Sequence, residues 1–246
     1  MSIDNDEDLA GMERAGKVTR AVLESMKAAV RPGISTRELD EIGAETMRAL
    51  GARSAPKMVY NFPGHNCISV NDEVVHGVPG GRKLVKGDLV KLDVTVEVNG
   101  YMADACETVA VGWPGNQARQ LMECVKQAFW AGASAARPGA RAFDIGREVQ
   151  RTVAAAGFAV VNGLTGHGIG RTIHERPTIP NRFDPRCSDI LHEGLVFTIE
   201  PMIAVGTSRT VTLKDGWTVR TRDRSLSAHF EHTMLLKKDG VRLLTA

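Results

Sequence analysis

LVKLDVTVEVNGYMADACETVAV, residues 89–111, reads as two strands and a turn. From Val90 to Val98 the even positions are apolar, and the odd ones are Lys91, Asp93, Thr95 and Glu97. That alternation assigns one strand face to a core and the other to polar groups. Asn99-Gly100 at its end predicts a type I′ hairpin, because both central residues of that turn need positive φ. A two-residue loop sets the pairing: Val98 opposite Tyr101, Val96 opposite Ala103, Thr95 opposite Asp104, Asp93 opposite Cys106. Asp93 and Asp104 then share a face on a diagonal of about 7–8 Å, and two converging carboxylates repel unless a cation lies between them. A solvated polar face is the competing reading. Ala103, Ala105 and Cys106 beside Asp104 favour a dry setting.

Outward from the hairpin, the chain repeats itself. Apolar residues at helical spacing run from Asp6 to Val30 and stop at Arg31-Pro32-Gly33. Ser35-Thr36-Arg37-Glu38 then reads as a capping box opening a helix that ends at Gly51. A helix over Gln117–Ala136 likewise stops at Arg137-Pro138-Gly139, and the next stops at Gly157. Two such stops in register predict a duplicated architecture, with a site between the halves drawing on both. Further strands are expected at Cys67–Val70, Leu195–Val205 and Ala228–Leu236.

The composition sets limits. The chain has 246 residues, 43% of them apolar and 24% charged, as in a globular protein with a full core. A net charge of +2 is too small to make nucleic acid the main ligand. Cys67, Cys106, Cys124 and Cys187 lack CxxC spacing, so neither a thiolate zinc knuckle nor a disulfide framework is expected. The start, MSIDNDEDLAGMERAG, is acidic where a secretory signal is basic, and no apolar run is long enough for a membrane span. A soluble cytoplasmic protein is the expectation.

Three more groups are candidates for the hairpin acids' company. His167 sits within Gly166-His167-Gly168-Ile169-Gly170, where glycines permit close backbone approach. Glu200 follows the apolar Val196–Ile199, and Glu231 lies within Ala228–Met234; an acid in such a strand must be paired or metal-bound. On residue type alone, each could serve a buried ion pair or a structural hydrogen bond. Together the five suit Mn, Fe(II), Co or Zn, and four carboxylates can hold two divalent ions about 3.5–4 Å apart.

These residues, with Asn71–Pro79, Arg171, His174-Glu175, Thr198–Met202 and Phe230–Thr233, form a series that resembles the type I methionine aminopeptidases of the M24 family. The resemblance spans the chain from first helix to last strand. It implies the pita-bread fold, an α/β architecture of two pseudo-symmetric halves with antiparallel sheet covered by helices. The whole of 1–246 then forms one catalytic domain, with halves of about 1–112 and 113–246.

The resemblance also implies roles. Asp93 would chelate one metal, Asp104 and Glu231 would bridge, and His167 and Glu200 would hold the other. Glu200 would also move a proton. His76 and His174 would serve catalysis and substrate binding, and Cys67, Phe62 and Trp217 would line a methionine pocket. Ile173 and Val59 stand where the family often has aromatics, which leaves the pocket's shape open. The expected activity is removal of N-terminal methionine from nascent chains when the second residue is small, by two-metal activation of a bridging water. Family analogy adds a monomer with transient contact to the ribosome, without a zinc-finger extension. The alternatives are an aminopeptidase P or prolidase, which carry an extra N-terminal domain, and a non-catalytic binding protein of the same fold.

Overall fold

A computed structural model describes residues 1–246. The first half contains helices α1 (Asp6–Ala29), α2 (Thr36–Ala49) and the short α3 (Ala55–Tyr60). Its strands are β1 (Arg53–Ser54), β2 (Cys67–Val70), β3 (Glu73–Val75), β4 (Leu89–Val98) and β5 (Tyr101–Ala110). The second half opens with α4 (Asn116–Ala135) and α5 (Ala142–Ala155), followed by β6 (Ala159–Val160), β7 (Thr165–Gly168) and β8 (Glu175–Pro180). It ends with β9 (Val196–Ile199), β10 (Met202–Ala204), β11 (Thr210–Thr212), β12 (Val219–Thr221), β13 (Ser227–Lys237) and β14 (Gly240–Leu243).

The β4–β5 hairpin has the register expected of its turn, without a bulge: Asp93 opposes Cys106 and Thr95 opposes Asp104. Asn99 and Gly100 both adopt positive φ, 51° and 83°. The main sheet runs β1-β4-β5-β13-β9-β7-β8, and its pairings are antiparallel. The halves join where β5 pairs β13 at the centre.

The duplication extends to single hydrogen bonds. Gly33 and Gly139, at the two Pro-Gly stops, have φ of +88° and +87°. Their N–H groups donate to Leu84 and Leu191 carbonyls, each at 2.8 Å. Ser35 N–H donates to Glu38 Oε2 at 2.7 Å to open α2, and Arg141 N–H donates to Asp144 Oδ2 at 2.9 Å to open α5. Each half also builds its own core. Val18, Val22, Leu39 and Met47 of α1 and α2 pack on Val90, Leu92, Val94 and Val96 of β4. Leu121, Phe129, Ile145 and Val149 of α4 and α5 pack on Phe197, Phe230 and Met234.

Two expectations change. Leu195–Val205 is not one strand: it breaks at Glu200-Pro201 into β9 and β10, because Pro201 has no N–H for the ladder. The register on β13 resumes unchanged, with Ile199 opposite His232 and Met202 opposite His229, so Glu200 lies level with Glu231. The polar face of β4 is also dry, with Lys91, Thr95 and Glu97 exposed by only 1%, 6% and 4%. The solvated-face reading therefore fails.

Candidate metal centre

With helices covering one sheet face, the odd positions of β13 and the even ones of β5 project from the other. Cys67, Asp93, Cys106 and Glu231 form one row across β2, β4, β5 and β13 by strand register. Asp104 stands two residues along β5 on the same face. Its N–H donates to Thr233 Oγ1 at 2.8 Å, while Thr233 Oγ1 donates to the Asp104 carbonyl at 2.8 Å. His167 enters from β7 and Glu200 from the β9–β10 break. The five sequence-selected donors thus come from neighbouring strands of both halves and line one cavity of about 360 Å³.

Local packing aims His167. A Cβ on Gly166 would lie 2.6 Å from the Thr198 carbonyl oxygen, and one on Gly168 would lie 2.1 Å from that of Arg176. Only glycine lets β7 come this close to its neighbours. His167 Nδ1 lies 3.0 Å from the Gly168 carbonyl, so Nδ1–H donates there and the lone pair is left on Nε2. Burial holds the ring far below the ordinary imidazole range, at about 3, so it is neutral. That neutral Nε2 nevertheless lies 3.3 Å from Glu200 Oε1, which accepts a 2.8 Å hydrogen bond from Thr198 Oγ1. Two electron-rich atoms facing each other at that distance need a proton or a cation between them.

The acids tell the same story. Burial, then the charges of their neighbours, pushes Asp93, Glu200 and Glu231 well above the ordinary carboxylate range, and burial lifts Asp104 to about 7. Asp104 Oδ1 and Glu231 Oε1 are buried without a hydrogen-bond partner. One donor atom each from Asp104, His167 and Glu231 lie within 4.8 Å of one another. Orphaned buried oxygens around a lone-pair nitrogen fit divalent cations, and the oxygen-rich set favours hard or borderline ions.

The rest of the cavity is apolar or imidazole-bearing. Phe62 and Trp217 meet edge to face, with centroids 5.2 Å apart. Cys67 and Ile173 line the same space, so the predicted pocket residues converge. The buried Cys67 and Cys106 thiols are pushed well up, by burial first and then by the nearby carboxylates, and stay protonated. His76 and His174 stand at the open rim, where surrounding protein pulls both below the ordinary imidazole range. His76 holds a left-handed backbone, φ 58°, uncommon for a side-chain-bearing residue.

Val59 is 43% exposed and lies outside the lining. Its neighbour Tyr60 supplies the aromatic ring instead, and sequence reasoning missed it. His229 was missed as well. It is 1% exposed, its ring nitrogens have no partners, and Nε2 is 3.7 Å from Glu231 Oε2. Its signal was available, since a residue two before Glu231 on a strand must share its face.

A sheet-borne nest of carboxylates and one imidazole beside an apolar slot defines a metal-dependent hydrolase. The model of metallopeptidase family M24 matches residues 10–238. A methionine aminopeptidase of Clostridium perfringens is 42% identical over 241 residues, covering 98% of this chain and 97% of that protein. The crystal structure of methionine aminopeptidase from Rickettsia prowazekii superposes with a TM-score of 0.95 at 37% identity, covering 100% of both chains. A prolidase from Pyrococcus furiosus shares the fold at a TM-score of 0.82 and 24% identity, but only 65% of its chain is covered. The chain belongs to metallopeptidase family M24.

Proposed function

We propose that this chain is a metal-dependent aminopeptidase that removes the N-terminal methionine of nascent polypeptides when the second residue is small. One observation carries the reading: the five metal-competent side chains and the Phe62–Trp217 slot open into the same cavity. The slot has the apolar, polarizable character a thioether prefers. The identities with methionine aminopeptidases over whole chains support that substrate over a prolidase's. A non-catalytic role does not account for a complete donor set.

Asp93, Asp104, His167, Glu200 and Glu231 would together hold the divalent ions. When bound, such ions supply Lewis acidity for the scissile carbonyl and acidify a water molecule. The residues do the rest. Phe62, Trp217, Cys67 and Ile173 hold the methionine side chain and exclude water from the reacting end. Glu200 accepts a proton at its carboxylate and passes it to the leaving amine, ordinary general acid–base work. His174 donates to the carbonyl oxygen as negative charge builds there, and His76 on the same rim orients the peptide beyond the scissile bond.

No helix is long and apolar enough to cross a membrane. With nascent chains as substrates, we place the enzyme in the cytoplasm as a monomer, with residues 1–246 acting as one catalytic domain in transient contact with the ribosome. The deciding experiment strips the protein with chelator and restores Mn, Co, Fe(II) or Zn singly. Free methionine is then measured from Met-Gly peptides against Pro-terminated controls. Methionine release from the former alone is expected, and no release with any metal overturns the proposal.

A further inference from the structure

His174 can offer a proton to the substrate carbonyl only from the ring nitrogen that faces the cavity. A neutral imidazole has two tautomers, and the partner of one nitrogen decides which is populated. Here Nδ1 of His174 lies 2.5 Å from the hydroxyl of Tyr60, a residue 114 positions earlier in the chain. Tyr60 closes the C-terminal end of α3, and its ring centroid is 5.7 Å from that of His174. On its other side the His174 ring meets the His167 ring edge to face, with centroids 4.2 Å apart. Ile173, just before it, is 3% exposed and fixes the backbone in the core. The imidazole is therefore held between two aromatic neighbours. Flipping it would set a carbon against the tyrosine hydroxyl and forfeit the bond.

We propose that Tyr60 is a positioning residue, which donates its hydroxyl proton to Nδ1 of His174 and so keeps the ring's own proton on Nε2, aimed at the substrate carbonyl. Burial raises the Tyr60 phenol above its ordinary range, so it retains its proton through neutral pH. Oriented this way, Tyr60 does for His174 what a partner on the far nitrogen does for any general-acid imidazole: it selects the tautomer and removes a rotational freedom. The proposal rests on the reading of His174 as donor to the carbonyl. It also gives the rim its aromatic at position 60, one residue past the one the family pattern indicated.

The test is Tyr60→Phe, which keeps the ring and removes only the hydroxyl. In the metal-free 15N-labelled protein, two-bond proton–nitrogen correlations of the His174 ring should show the Nε2–H tautomer in the parent and a mixture in the variant. In the metal-loaded enzyme, kcat for Met-Gly peptides should fall about 10-fold, the effect of one lost hydrogen bond. KM should stay within about twofold, because the bond acts on the transition state. In a His174→Ala background the same substitution should change kcat by less than about twofold, because its partner is already gone. A parent ring protonated on Nδ1, an unchanged tautomer in Tyr60→Phe, or an equal loss of kcat in both backgrounds overturns the role of Tyr60. If Tyr60→Phe moves the tautomer while His174→Ala leaves turnover intact, the contact stands and the donor role of His174 falls.

Discussion

Replacing Asp104 by Asn should stabilise the metal-free protein while destroying its response to metal. The carboxylate is 6% exposed, and burial lifts its pKa from 3.8 to about 7. A rise of that size corresponds to roughly 4 kcal/mol of unfavourable charge at alkaline pH. The folded protein binds this proton more tightly than the unfolded chain. The group's contribution to stability is therefore full below about pH 4 and lost as pH rises through about 7. Asparagine keeps the size of this carboxyl and one acceptor oxygen. It removes the charge. Water penetration will reduce the effect, so 1–4 kcal/mol is the expected range, and for a chain of this size each kcal/mol moves Tm by about 2–4 °C. Chelator-treated parent and variant, melted at pH 8 and at pH 4.5, give the comparison. Asp104→Asn should melt at least about 2 °C higher at pH 8, with a smaller gap at pH 4.5. Manganese should raise the parent's Tm and leave the variant's unmoved, since one of the proposed metal ligands is gone. A metal-free variant melting at or below the parent at pH 8, or gaining equally from manganese, would refute the argument that this acid is held in place for a cation.

Gly168→Ala should cost about 1–3 kcal/mol by overpacking and weaken metal binding in calorimetric titrations, because its Cβ would lie 2.1 Å from the Arg176 carbonyl oxygen beside His167. Gly81→Ala, with open space around it and an ordinary φ, should do neither. Glu107 accepts from Lys27 of α1 at 2.5 Å and Lys126 of α4 at 2.8 Å, joining the first helices of the two halves. Burial opposes the charge, but the two lysine hydrogen bonds prevail and lower its pKa, so this contribution is present above about pH 4.3 and lost as pH falls below it. Glu107→Gln should therefore lower Tm at pH 7, with the gap from the parent narrowing as pH falls below about 4.3; a gap constant with pH counts against the double ion pair. Trp217→Ala opens the slot opposite Phe62 and should raise KM for Met-Gly peptides about 10-fold with a smaller effect on kcat.

How far the site could be read from residue order depends on the distance between its parts. Asp93 and Asp104 flank a two-residue turn, so alternation and turn chemistry placed them on one face before any fold was known. The duplicated helix pairs were legible for a similar reason: Pro-Gly stops and a capping box are local signals, and each was found where expected. Glu200 was legible as a suspicious acid but not as Glu231's neighbour, because that follows only from the register of two strands on β13 across the Pro201 break. His229 carried a local signal that strand periodicity could have exploited. Tyr60 carried none, since a six-residue helix sets its direction and its partner belongs to the other half.

The same division explains why the metal nest is polar and buried at once. Strand pairing satisfies the backbone of β4, β5 and β13, so their carboxylates can be sequestered without orphaning main-chain groups. The sheet's helix-covered face supplies the apolar burial that offsets the cost. Asp93 and Asp104 come from the first half, Glu200, Glu231 and His167 from the second, and the β5–β13 seam brings them together. Neither half holds the whole of the proposed ligand set. A cation at that seam touches both, so its binding free energy acts directly on their docking. Metal should therefore protect the β5–β13 amides, Ala105 and His232 among them, from hydrogen exchange more than it protects the α1–α2 or α4–α5 helices. Uniform protection across all four helices and the seam would mean that the ion stabilises the fold as a whole and that the halves do not separate along this line.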